Sequence, residues 1–239
     1  MSCTFFQEVI ITSKNIHFSN ITGNVQNLYQ RNDSYVYGLS SNPNNLKETI
    51  TISGLIKPCD AIFIDRHTLG NMIINNTNVV FDKQTKLITS DFIKTTNFTI
   101  TFGDLKTDHS LKRLGTIILL RKIGQLESLP TNFSFKLKTI GNFFNKSKGG
   151  ATKIIYGIKA NYKLEFIGIN YNDINLLKKL YFFKHHFYMS LFPDNQDIQE
   201  QGLRIQDFLP LIMTGNFSPK LRTNVLGIGQ DINITLEET

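Results

Sequence analysis

Lys47–Leu69 reads KETITISGLIKPCDAIFIDRHTL. Glu48–Ser53 alternates polar and apolar residues, the period of a strand with one buried face. Gly54-Leu55 and Lys57-Pro58 supply turn chemistry. Cys59–Ile64 is a second, almost unbroken apolar run, and Asp65-Arg66-His67-Thr68 forms a polar end to it. The stretch predicts two neighbouring strands of a β-sandwich with a polar loop tip at one end. Asp65, Arg66 and His67 at that tip are candidate partner or ligand contacts, weighed against a plain polar cap on a buried strand.

Working outward, short β-branched or aromatic runs recur at Phe5–Thr12, Ala61–Asp65, Asn78–Phe81, Phe98–Phe102 and Thr116–Leu120, separated by Asn, Gly, Ser, Asp or Pro clusters. Phe98–Phe102 alternates at period two. Such spacing suggests a sandwich or jelly roll. Asn24–Asn45 reads as a long polar loop with one short strand at Tyr35-Val36-Tyr37. The second half predicts strands at Phe133–Thr139, Thr152–Ile169, Leu209–Met213 and Asp231–Glu237, with a polar glycine loop at Gly141–Gly150. One helix is expected at about 173–188. Asp173 is its N-cap, and Leu176, Leu177, Leu180, Phe183 and Phe187 form the apolar stripe. Burying each would contribute roughly 1.5–3 kcal/mol. Pro193 then forbids continuation. The expected architecture is mainly β: an N-terminal jelly-roll sandwich over 1–124, then a smaller, β-rich α+β domain over 125–239.

The chain has 239 residues, a formal net charge of +7 and 41% hydrophobic residues, enough for real cores. The basic residues are dispersed. The tightest clusters are Lys146/Lys148/Lys153 and Lys178/Lys179/Lys184, with no Arg-rich run, so a solvated surface is favoured over nucleic-acid binding. Two cysteines make no disulfide framework and no zinc spacing. The first residues lack the pattern of a signal peptide. No apolar run approaches about 18 residues, so no membrane span is expected. Asn97, Asn132 and Asn216 sit in Asn-x-Ser/Thr triplets, which an Asn-rich composition produces by chance.

Chemistry-bearing motifs are sparse. Ser147–Lys153 fails the spacing of a phosphate loop. His185-His186 are adjacent and have no ligand partner one helical turn away. Asp104, Asp108 and His109 read as a solvated turn, and Glu237-Glu238 as an acidic end. No nucleophile-elbow or zinc-protease signature occurs. No enzyme, metal or cofactor is therefore expected.

The order of several motifs carries a resemblance. Asn27-Leu28-Tyr29, Asn32-Asp33-Ser34-Tyr35, Glu48–Ile52, Asp60–Ile64 and His67-x-Leu69 follow one another, and Leu114–Leu120 comes after them as a closing strand. In this order they resemble the galactose-binding-like (discoidin or F5/8 type C-like) jelly roll of bacteriophage tail proteins. The second half is similar to the following domain of such proteins: Asn172–Tyr188, Leu191-Phe192-Pro193-Asp194, Met213–Phe217 and Ile232–Glu238. The resemblance covers most of the chain and puts Tyr35 or Tyr37 in the place of the family's Trp. It implies a non-enzymatic structural protein of a phage tail or tail tip, assembled in host cytoplasm into the virion. Its expected partners are other tail proteins and copies of itself. The alternative is a carbohydrate-binding module for host glycans, presenting Tyr29, Tyr35 and Tyr37 to sugar faces. A third possibility is DNA retention by the Lys146–Lys153 loop.

Overall fold

The computed structural model describes residues 3–12, 14–23, 39–41, 48–81, 86–106, 111–145, 151–190, 210–224 and 227–239. In the first part of the chain the strands are Cys3–Glu8 (β1), Ile16–Ser19 (β2), Ile21–Gly23 (β3), Leu39–Ser41 (β4), Thr49–Ile52 (β5), Ala61–His67 (β6), Asn71–Ile74 (β7), Thr77–Val80 (β8), Lys86–Ile88 (β9), Phe98–Phe102 (β10) and Arg113–Leu126 (β11). There follow Asn132–Asn145 (β12), Ala151–Ile169 (β13), the helix Tyr171–Tyr181 (α1), Tyr188–Ser190 (β14), Leu211–Thr214 (β15), Lys220–Asn224 (β16) and Gly227–Glu238 (β17). The protein is mainly β, with three antiparallel sheets and a single helix among the described residues.

Two compact units divide between Ile123 and Gly124, within β11, and the residues through Phe5 belong with the second. In the first unit one sheet runs β2-β5-β10-β7-β8. The other includes β3, β4, β11, β6 and β9. Their inward side chains make one core: Ile50, Ile52, Met72, Ile74 and Ile100 from the first sheet, with Ile62, Ile64, Leu114, Ile117 and Leu119 from the second. The alternation in β5 is realised as designed by its sequence, with Ile50 and Ile52 buried and Thr49 and Thr51 only partly so. Alternation in β10 is less clean: Thr99 is exposed, but Thr101 is buried. Ala61–Ile64 and Thr116–Leu120 are buried on both faces, which explains why these runs lack polar alternation. Gly54 turns the chain after β5 at φ +71°, where a side chain would be strained. Asn15 Nδ2 donates to Ser53 O at 3.1 Å, and Asn97 Oδ1 accepts from Gly54 N at 3.3 Å, fixing that turn.

The second unit contains the sheet β12-β13-β17-β15, with β16 also on β17. Tyr162, Leu164 and Phe166 of β13 lie directly opposite Leu236, Ile234 and Ile232 of β17, and all six are buried. Ile174, Leu177 and Leu180 are the buried residues of α1's apolar stripe. The expected helix at 173–188 is corrected at both ends. Asn170 is the N-cap: its Oδ1 accepts from Asp173 N at 2.8 Å. Asp173 lies inside the first turn, buried, and its carboxylate accepts from Glu127 N and Ser128 N, each at 3.0 Å. The helix stops at Tyr181 although apolar spacing continues, because Phe187 is recruited to exchange hydrogen bonds with Leu211 at 2.8 and 2.7 Å. The expected loop at Gly141–Gly150 is corrected over its first half, while 146–150 lie outside the described residues. Strand β12 continues to Asn145, paired with Ala151.

Candidate functional site

Strand β6 does not end where its sequence turns polar. Asp65, Arg66 and His67 are strand residues, so the expected loop tip is replaced by a distorted strand end. Thr116 lies opposite Asp65 and Leu114 opposite His67, which leaves Arg66 facing Gly115. Arg66 adopts φ +54°, the left-handed region that a branched or long side chain seldom occupies. That local kink lets three polar residues remain in a ladder with a strongly apolar neighbour strand.

The three side chains go to different places. The Arg66 guanidinium donates from Nη2 to Thr116 Oγ1 at 2.7 Å, and its Nε is 3.8 Å from Asp65 Oδ2. Both side chains keep some surface, 30% for Arg66 and 16% for Asp65. His67 has no exposed surface, so it makes no contact from a tip. Its ring centroid is 4.2 Å from that of Phe81, and Nδ1 accepts from Leu69 N at 3.3 Å. Thr68 is also buried and stitches the strand end down: Oγ1 donates to Leu111 O at 2.7 Å and accepts from Arg113 N at 2.8 Å. Tyr35 and Tyr37, with Tyr29, lie outside the described residues.

Other expectations sort in the same way. Asp104 is exposed at the end of a turn tied to Asn71, while Asp108 and His109 fall outside the described residues. His185 and His186 follow the helix rather than lying in it. Lys146, Lys148 and Leu191–Asp194 are outside the described residues. Among the described residues, no group of three His, Cys, Asp or Glu side chains is arranged to hold a metal ion. No helix there is long and apolar enough to cross a membrane. Cys59 is buried as its apolar run suggests, and burial, with the Asp60 carboxylate nearby, pushes its thiol up to about 12. Burial also pushes up the Cys3 thiol, with Asp173 adding to the effect. Neither is a nucleophile at neutral pH, since the thiolate is the reactive form.

Three features escaped sequence reasoning. Glu48, read as a strand residue, is buried and ion-paired to Lys112 Nζ at 3.1 Å, a contact across 64 positions that no local pattern announces. An aromatic cluster joins Tyr181, Phe182 and Phe217, with Tyr181 centroids 5.2 and 5.6 Å from the other two and Phe182 exposed. Finally, among the described residues β12 is an edge strand, and two of its apolar side chains are exposed: Phe135 is 39% exposed and Leu137 63%. The alternation at Phe133–Thr139 marked a strand but carried no information about what would cover it. On the opposite, polar face, Asn132, Ser134, Lys163, Glu165, Asn233 and Thr235 surround a shallow depression of about 280 Å³.

These features define a class: among the described residues, a mainly β protein with one helix, in which Arg66, Thr68 and Glu48 take part in contacts within the sheets and turns. Comparison of the chain with protein-family models, with curated proteins and with solved structures gives no match.

Proposed function

We propose that this chain is a non-enzymatic structural component of a bacteriophage virion, located in the tail or tail tip, that works through contacts with neighbouring subunits. The observation that carries the reading is the fourteen-residue edge strand β12, whose apolar side chains are uncovered among the described residues. A strand edge with exposed apolar side chains is a template for pairing with another chain. The ordered sequence motifs supply the virion context, and Asp65 and Arg66, which keep some surface, enter as further candidate contacts. The peptide inventory of purified virions tests the reading. The chain's peptides are expected at structural-protein abundance, and their absence overturns it.

A second reading, a binding module for host surface glycans, is favoured by the Tyr181–Phe182–Phe217 cluster, because exposed aromatic faces stack on sugars. A glycan array separates the two. Specific binding that disappears in Phe182→Ala supports the module, and silence across the array removes it.

A further inference from the structure

We infer that β12 pairs edge to edge with β12 of a second copy of this chain, antiparallel, about a two-fold axis at Phe135. The inference rests on the sheet edge alone and holds whether or not the protein belongs to a virion.

Strand β12 is bonded to β13 on one side and, among the described residues, ends its sheet on the other. The third strand, β17, accompanies β13 only from Asn161 to Ile169. Beyond that, β12 and β13 continue as a two-stranded ribbon as far as Asn145 and Ala151. Directly opposite residues share a face, so Phe133, Phe135 and Leu137 lie on the side of Leu164, Tyr162 and Ala160, their partners in β13. Asn132, Ser134, Lys136 and Lys138 lie on the other side. A register shift between Ile140 and Gly141 ends the regular segment.

Self-pairing within that segment has few registers. Centring on Lys136 or on Leu137 sets lysine against lysine. Centring on Ser134 sets Leu137 against Thr131. Centring on Phe135 sets Phe135 against Phe135, Phe133 against Leu137 and Thr131 against Thr139, while Lys136 meets Ser134 and Lys138 meets Asn132. Only this last register pairs Phe133, Phe135 and Leu137 with one another and sets no like charges directly opposite; Ile140, at the end of the segment, falls opposite Pro130. On the polar face the register makes one favourable and one unfavourable approach of charges. Glu165 is the β13 partner of Asn132, so Lys138 of the second copy comes two strands from Glu165, about 10 Å at the usual strand spacing and within reach of two long side chains. Lys138 lies opposite Lys159 within its own sheet, a like-charge pair that such an acidic neighbour relieves. Lys136 of the second copy falls beside Ser134, whose β13 partner is Lys163, so this lysine comes as near to Lys163 as Lys138 does to Glu165.

The full chain tests this. Sedimentation velocity over a concentration series is expected to show a monomer–dimer equilibrium. Ser134 is on the polar face, directly opposite Lys163 of its own sheet, so thermal melts of both variants establish that they fold before the dimer is read. Ser134→Lys, which opposes Lys136 twice by symmetry, weakens the dimer by about tenfold. Ser134→Glu tightens it. Phe135→Cys, treated with oxidised glutathione, gives a covalent dimer, because facing positions on adjacent strands meet disulfide geometry. Cys3 and Cys59 are buried and do not compete. The inference is overturned by a monomer at every concentration or a ring instead of a dimer. It is equally overturned if the Phe135→Cys variant does not crosslink, or if both Ser134 variants shift the dimer the same way.

Discussion

Gly115 lies directly against Arg66: a Cβ placed on Gly115 would come within 2.7 Å of the Arg66 Cβ and 2.9 Å of its carbonyl oxygen. Arg66 holds its left-handed backbone only because the residue across the ladder has no side chain. Gly115→Ala is therefore expected to destabilise the first unit by about 2 kcal/mol or more, since the clash is with backbone and cannot be relieved by a rotamer change. Arg66→Gly relieves the strain but removes the hydrogen bond to Thr116, so it should fall within about 1 kcal/mol of the parent. Urea denaturation of the two variants checks the pair. Equal losses would contradict the strained geometry.

The Asp173 carboxylate joins the start of α1 to the Leu126–Ser128 segment by accepting two backbone N–H groups. Asp173→Ala leaves two donors unsatisfied and should cost about 2–4 kcal/mol. Asp173→Asn keeps one acceptor and turns an NH2 group toward the other donor, so it should recover less than half of the loss. Asn170→Ala removes only the cap and should cost about 1 kcal/mol. Thermal melts followed by far-UV dichroism would rank the three. A negligible effect of Asp173→Ala would show that the carboxylate holds nothing.

These residues also show what the sequence could and could not convey. Phe98–Phe102 was legible to the residue, because alternation and flanking turn residues are local. The helix was legible in existence but not in extent. Asp173 is an excellent N-cap by type, yet its oxygens are taken by Glu127 and Ser128, and Asn170 caps instead. Phe187 keeps helical spacing but finds a better partner in Leu211. Both outcomes depend on segments far away in the chain. Asp65–His67 misled for the same reason: three polar residues normally end a strand, and only Gly115, 49 positions after Arg66, allows the ladder to continue through a kink. The polar side of β12 was visible in its lysines; its being an edge was a property of the sheet, not of the strand.

Both cysteine thiols are held above their ordinary value by burial, so protons are bound more tightly in the folded state than in the unfolded one. The stabilisation they carry is complete below about pH 9 and is lost as pH rises from there toward the folded value, about 12 for Cys59. Stability should fall by about 1.4 kcal/mol per pH unit for each thiol in that window. At pH 8 a thiol reagent should titrate none of the two cysteines in the folded protein and both in denaturant. Rapid labelling without denaturant would contradict the buried environment.

Glu48 and Lys112 form an ion pair in which the carboxylate is the more buried partner. Lys112→Met strands that carboxylate and should cost about 2–3 kcal/mol, tempered by the partial exposure of the lysine. Adding Glu48→Gln should restore part of the loss. A double-mutant cycle by chemical denaturation measures the coupling, and simple additivity would mean that the pair contributes nothing.

The reading as a tail component is tested most directly by electron microscopy of virions carrying a gold label at the C-terminus of this chain. Label is expected on the tail or its tip in most particles. Label confined to the capsid, or particles with no label while the tagged protein stays in the soluble fraction, would contradict it.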